Sequence, residues 1–254
     1  MYIQTEAIVL RQIKTLDGRR MMHLFTRRFG KISCGTNMSE KGKNKSNLAL
    51  RPFTYCNYDL YKKRDYFNIN GAEVKKSFFR IGEDIEKYMT ASFVLEFTDK
   101  LLVEGQENHK LFDLLLEFLE LLEDRKEKFE TLSIGYQLKA IELMGIGPNL
   151  KKCVLCDADD NITGFSVKDG GLLCHKCMKN IQSNVNAGLI FEVNFDIVNI
   201  LRYFINNPLS SLKKIGLTES AKKEIMKILD AYSEYYLDLG DLKSKGFKIE
   251  GGIK

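Results

Sequence analysis

The residues best suited to chemistry in this 254-residue chain are four cysteines, Cys153, Cys156, Cys174 and Cys177. They form two C-x2-C pairs separated by 17 residues, a spacing within the range of four-cysteine zinc sites. Each pair can set two thiolates on one side of a tight turn. Two such knuckles brought together make a tetrahedral shell at about 2.3 Å per Zn–S bond. Four thiolates close that shell and leave no open position for water, so the implied zinc is single and structural. Two readings compete with this one. Four free thiols can share the spacing by accident, and a C-x2-C pair can be redox-active, although two pairs at ribbon spacing do not resemble that pattern. His175, between Cys174 and Cys177, reads as exposed rather than as a ligand. The intervening segment suits a ribbon, because Phe165 to Val167 and Leu172 to Leu173 can pair across a turn at Asp169, Gly170 and Gly171.

The second chemical signal is charge. Residues 1–80 hold 17 Lys/Arg against 6 Asp/Glu, and residues 81–254 hold 22 against 28, so a net of +11 sits on a remainder of −6. This distribution suggests a polyanion-binding module joined to a different one. The candidate DNA-binding residues are Arg19, Arg20, Arg27, Arg28, Lys31, Lys41, Lys43, Lys45, Arg51, Lys62, Lys63 and Arg64. Arg11 and Lys14 belong to the same basic set. Long cationic side chains in loops can neutralise phosphates and release counterions, which gives salt-dependent, nearly sequence-independent binding. Tyr55, Tyr58, Tyr61 and Tyr66 can stack on bases as aromatics do in single-strand binders. The competing reading makes these cations a solvated surface and these rings core.

The elements that must position these groups divide near residue 80. Residues 1–80 read as short strands: Ile3 to Ile13, Met21 to Phe25, Gly30 to Gly35, Phe53 to Leu60 and Tyr66 to Ile69, with a turn at Lys62 to Asp65. Several short strands in so few residues suggest a small barrel. Asn37 to Asn47 reads as an exposed, mobile basic loop. Beyond residue 80 the apolar period lengthens. Ile81, Ile85, Met89, Phe93, Phe97 and Leu101 recur every four residues as one helix face. A second helix, capped by Asn108, runs to about Glu123 and is apolar on most sides, which places it centrally. A third covers about Glu127 to Met144. The cysteine region, about 150–180, interrupts the helices. One helix then runs from Phe195 to Asn206, and another from the cap Thr218 to about Leu239 with Gly240 as C-cap. The tail past Lys243 is expected to fray.

Other classes are disfavoured. The chain has three histidines, and it has no Gly-rich phosphate loop, nucleophile elbow or HExxH. A non-enzymatic protein is expected. The start Met1 to Arg11 lacks an apolar core of signal-peptide type, and no run reaches membrane-spanning length, so a cytoplasmic location is the expectation.

Several segments together resemble the RecO family of bacterial DNA repair proteins. They are TEAIVLR (Thr5 to Arg11), HLFTRRFGKI (His23 to Ile32), EKGKNKSNL (Glu40 to Leu48) and LRPFTYCNYDLYKKRDYFNI (Leu50 to Ile69). They continue with LFDLLLEFLELL (Leu111 to Leu122), GIGPNLKKCVLC (Gly145 to Cys156) and GFSVKDGGLLCHKC (Gly164 to Cys177). Lys14 to Arg20 starts less acidically than that family's first loop. The resemblance implies an α+β protein: an N-terminal OB-fold β-barrel over 1–80, then an α-helical domain over 81–254 with an inserted four-cysteine zinc motif. It implies binding to single- and double-stranded DNA, annealing of complementary strands, and cooperation with RecR that helps load RecA on DNA coated by single-strand-binding protein (SSB). It also implies that the acidic, apolar SSB tail docks on the helical part, where Arg125, Lys126, Lys128, Lys139 and Arg202 are the candidate cations, and that the protein works at the nucleoid. An RNA-binding or ribosome-associated adaptor is the alternative use of a barrel and a zinc ribbon, and a zinc enzyme is a third, opposed by the closed shell.

Overall fold

A computed structural model describes residues 1–14, 20–36, 45–64, 66–182, 189–239, 242 and 244. Five strands close into a barrel: β1 (Tyr2–Lys14), β2 (Arg20–Thr26), β3 (Gly30–Thr36), β4 (Tyr55–Lys63) and β5 (Tyr66–Lys76). Their order is β1-β2-β3-β5-β4, with β4 returning to β1. All neighbours are antiparallel except β3 and β5. This is the OB-fold order. Alternation sets which side chains fill it: on β2, Met22 and Leu24 point inward while Met21 and His23 do not, and β3 turns Ile32 and Cys34 into the same core.

The expected third-strand loop, Asn37 to Asn47, lies outside the described residues up to position 44, and Lys45–Leu50 forms a short 3-10 helix. Two strands are longer than their sequence signal: β4 continues to Lys63 and β5 to Lys76. Phe53 is not part of β4. It takes a left-handed φ of 63° and faces Tyr88 edge-on.

The chain forms two compact units, Met1–Arg125 with Leu242–Lys254, and Lys126–Asp241. The first holds the barrel with α1 (Ile85–Leu101) and α2 (His109–Asp124). Asp84 caps α1 by accepting from the Glu86 and Lys87 N–H groups, and Asn108 caps α2 by accepting from Leu111. The four-residue stripe expected along α1 holds for the buried Phe93, Phe97 and Leu101 but fails at the start of the helix, where Ile85 is 71% exposed. A four-residue step drifts by about 40° around a helix, so the stripe leaves the buried face within a few turns. Ser244 is held by the Glu96 carboxylate, so the tail is anchored one residue past its expected fraying point.

The second unit holds α3 (Phe129–Leu143), β6 (Ile162–Ser166), β7 (Gly171–Cys174), α4 (His175–Gln182), β8 (Ile190–Glu192), α5 (Phe195–Asn206) and α6 (Glu219–Leu237). The helix buried almost all round is α3, not α2, which keeps Lys110, Asp113, Glu120 and Asp124 exposed. Thr218 caps α6 as expected, but Asp238, in the left-handed region, ends it; the expected cap, Gly240, lies outside the described residues.

In the first unit one carboxylate organises the outer face of the barrel. Asp99, on α1, is 5% exposed. It faces Arg11 Nε at 2.9 Å, and His23 Nδ1 and Lys31 Nζ at 3.5 Å each. Burial pushes its pKa up, but His23, Lys31 and Arg11 outweigh burial and hold it below the ordinary value. The link between α1 and α2 follows the same path. The Gly105 N–H donates to the Lys31 carbonyl at 2.9 Å, and a Cβ on Gly30 would lie 1.9 Å from the Gln106 oxygen.

Asp99→Asn should therefore destabilise the protein by about 2 kcal/mol near neutral pH, less than for a fully buried pair because Arg11 is half exposed. A depressed carboxylate contributes stability above its unfolded pKa and loses it as the pH falls. Urea unfolding should show the gap between wild type and variant closing as the pH drops below the ordinary carboxylate value of 3.8. A gap that persisted or grew in acid would assign the loss to packing.

Candidate metal centre and nucleic-acid interface

The four cysteines converge. Their Sγ atoms all lie within 4.8 Å of one another, and Cys156 and Cys174 approach to 3.6 Å. A tetrahedral ion with bonds of about 2.3 Å needs S···S edges of about 3.8 Å, so the donor set fits a four-coordinate ion. The first knuckle turns at Asp157, whose left-handed φ of 61° lets its N–H reach the Cys153 carbonyl at 3.0 Å. The second sits where β7 ends at Cys174 and α4 begins, with Cys177 in the first helical turn. β6 and β7 pair Phe165 with Leu172 across the anticipated turn. A small apolar cluster of Leu173, Met178, Val154 and Ile162 surrounds the thiols.

The thiols are electrostatically unequal. Burial opposes a thiolate at Cys153, but backbone N–H groups of Cys174, Leu155 and Cys156 outweigh it and lower its pKa to about 6. The neighbouring Cys156 sulfur, followed by burial, pushes Cys177 up to about 12. Four sulfurs cannot share this space as bare thiolates, because like charges repel. A bound cation reverses that penalty. His175 is exposed, as expected of a non-ligand.

The ribbon is fastened to its own unit by named bonds. Arg202, on α5, donates to the carbonyls of Leu150 at 2.7 Å and Lys151 at 3.0 Å. Tyr232 and Tyr236, on α6, donate to the carbonyls of Ile146 and Lys168. Any order that an ion imposed on the ribbon would thus be carried to α5 and α6.

The structure sorts the basic residues into committed and available groups. Arg27 is committed. It pairs with Glu6 and with Asp113, each at 2.8 Å, and lies 4.5 Å over the Phe112 ring. Glu6 is held below its ordinary pKa first by Lys75, then by Tyr55 and Arg27. Lys31 is committed to Asp99, and Arg11 also pairs there. Arg28, Arg51, Lys63 and Arg64 are exposed. Lys62 lies 5.0 Å over the Phe67 ring, and Arg28 lies 5.4 Å over Phe29. Arg20 is half-buried on β2, opposite Thr36. Arg19, Lys41, Lys43 and the side chain of Lys45 lie outside the described residues.

The tyrosines sort likewise. Tyr58 is fully buried and donates to the Ala49 carbonyl, and Tyr55 packs against Phe112, so the reading of these two as base-stacking rings is corrected. Strand alternation turns Tyr58 inward, and α2 covers Tyr55. Tyr61 and Tyr66 remain outward, and Tyr2 joins them. Local sequence does not single out Tyr2. Pairing of β1 with β4 sets its ring beside that of Tyr61.

Comparison with known proteins covers nearly the whole chain. Residues 1–78 match the family described as Recombination protein O N terminal, and residues 82–246 match Recombination protein O C terminal. The chain is 30% identical to DNA repair protein RecO of Alkaliphilus metalliredigens, over 94% of this chain and 95% of the relative. It is 29% identical to DNA repair protein RecO of Caldanaerobacter subterraneus, over 98% of each chain. The protein of the same name in Bacillus subtilis is 29% identical, over 97% of this chain and 94% of its own length. No helix among the described residues is long and apolar enough to cross a membrane.

Stripping the metal with a chelator should expose Cys153, Cys156, Cys174 and Cys177 to a thiol-reactive chromophore in the folded protein, while buried Cys34 and Cys56 stay slow. Cys153→Ser should lose the ion and lower the melting temperature, since metal and local order are coupled. Equal thiol reactivity with and without chelation, or under half an equivalent of metal in unchelated protein, would count against the site.

Proposed function

The chain belongs to the RecO family, and from that premise we propose that it is a non-enzymatic recombination mediator that binds DNA through its barrel. In this reading it anneals complementary strands and acts with RecR to help load RecA onto SSB-coated single strands. The observation that carries the reading is the match along nearly the whole chain to proteins named for DNA repair and recombination, joined to a closed barrel whose segment, residues 1–80, holds the +11 charge excess. The working compartment is the cytoplasm, at the nucleoid.

The physics of annealing needs no turnover. Two strands repel through their phosphates, and within a Debye length of about 8 Å at physiological salt that repulsion is strong. A cationic surface that neutralises both strands lowers the barrier to their encounter, and holding them side by side raises their effective concentration. The metal in this reading is one zinc ion, held by Cys153, Cys156, Cys174 and Cys177. When bound it supplies no reactive position and serves to order the ribbon.

The partner reading is narrower than the cation list from sequence. Lys139 donates to the Ile205 carbonyl at 3.2 Å, and Arg202 to two carbonyls of the ribbon entry. These two cations act as internal fasteners and Arg125 is buried, which narrows the sequence-derived set to the exposed Lys126 and Lys128 for orienting an acidic tail. Apolar residues of that tail would carry most of its affinity.

Replacing Lys41, Lys43 and Lys45 together with Ala should weaken DNA binding and flatten the salt dependence by roughly 0.7 to 0.9 per lost phosphate contact. The loss should be similar across sequences. An unchanged slope would make this segment a solvated surface, and preference for RNA over single-stranded DNA in competition would favour an RNA adaptor. A synthetic SSB C-terminal peptide should bind the full chain at micromolar strength and weaken in salt. Absence of that binding would remove SSB from the partners and leave the DNA reading intact.

A further inference from the structure

An OB barrel most often binds oligonucleotides across the outer face of its second and third strands. In this protein that face is taken. His23 on β2 and Lys31 on β3 point outward onto the buried carboxylate of Asp99. The Ser33 N–H donates to Glu104 Oε1 at 3.2 Å, and Gly105 bonds the Lys31 carbonyl. A phosphate arriving there meets Asp99 and Glu104, with the local cations already paired. The face is closed by the chain's own α1 and the link after it.

The barrel end beside the β4–β5 turn has the opposite character. Tyr66 is 74% exposed and Tyr2 76% exposed. Tyr2 and Tyr61 are cross-strand partners with ring centroids 5.2 Å apart. Tyr66 pairs with Lys63, so both side chains stand on the same outer face. Arg28 is exposed and donates to the Gln4 carbonyl at 3.3 Å, which sets its charge beside β1. Residues 62–65 keep a net charge of +2 even counting Asp65. Asp59, on the same strand, is engaged by Gln4 Nε2 at 2.7 Å. Solvent-exposed rings interleaved with cations that make no ion pair among the described residues cost solubility and serve no core. They suit a ligand that offers flat apolar faces joined by phosphates.

We propose that single-stranded DNA crosses this barrel end, with unpaired bases stacking on Tyr2, Tyr61 and Tyr66 and phosphates lying on Arg28, Lys63 and Arg64. The inference rests on the DNA-binding reading above and adds where and how the strand is held. A blunt duplex keeps its bases stacked on one another and presents only phosphates here, so the platform discriminates unpaired from paired DNA.

The chain has no tryptophan, so Tyr66→Trp places one fluorophore on the platform of the full-length protein. Oligothymidine should quench its emission strongly. A strand of equal length with abasic sites throughout should bind through its phosphates and leave the emission nearly unchanged. Tyr2→Ala with Tyr66→Ala should weaken oligothymidine binding by about tenfold per ring lost, with the salt dependence unaltered because no charge is removed, and with duplex affinity preserved. Oligothymidine that binds without quenching, equal quenching by a blunt duplex, or an alanine double variant that binds oligothymidine as tightly as wild type would each overturn the platform while leaving DNA binding standing. Failure of every nucleic acid to bind, measured with labelled strands, would overturn the DNA-binding reading and the platform with it.

Discussion

A carboxylate placed in an apolar helix face must be met by cations, because an unpaired buried charge costs several kcal/mol. Asp99 is that carboxylate. It draws Arg11, His23 and Lys31 from two neighbouring strands and the one between them onto a single point of α1. The consequence is larger than one ion-pair cluster. The pairs bind the first helix to the barrel wall and bring the following link against Gly30 and Lys31. They also engage the charges of Arg11 and Lys31 and take one barrel face from the surface open to a polyanion.

The net +11 of residues 1–80 is therefore not spread evenly over the barrel. Arg27 belongs to a second internal network with Glu6, Lys75 and Asp113. Among the described residues, exposed cations of the barrel include Arg28, Arg51 and, at the β4–β5 turn, Lys63 and Arg64. Charge counted along a chain measures attraction at a distance, whereas contact depends on which cations are unpaired. The two barrel regions differ in that respect, and exposed tyrosines accompany the unpaired one.

In the other unit the four-cysteine cluster is tied to the helices behind it. Four sulfurs within 4.8 Å are mutually repulsive once ionised, and a cation converts that repulsion into a cross-link. Arg202, Tyr232 and Tyr236 carry the cross-link into α5 and α6 through backbone carbonyls. Such bonds orient a ribbon without demanding particular ribbon side chains.

The sequence by itself determined whatever depends on local spacing. Two C-x2-C pairs 17 residues apart mark the four cysteines that meet in one cluster, alternation defines the inward residues of β2 and β3, and Asn108 and Thr218 mark helix starts because their side chains cap the next turn. The change near residue 80 from strands to helices was legible for the same reason, a shift of period. Only the tertiary structure decided what depends on partners far apart in the chain. Asp99 carries no local signal, and its partners Arg11, His23 and Lys31 lie 68 to 88 residues away. Tyr58 and Tyr61 look alike on one strand, yet one is core and the other surface, because one step along a β-strand reverses the face. The commitment of Arg27 and Lys31, the exposure of Arg28 and Lys63, and the meeting of Tyr2 with Tyr61 depend on the folded barrel, whose closure joins β1 to β4 across some 50 residues of sequence.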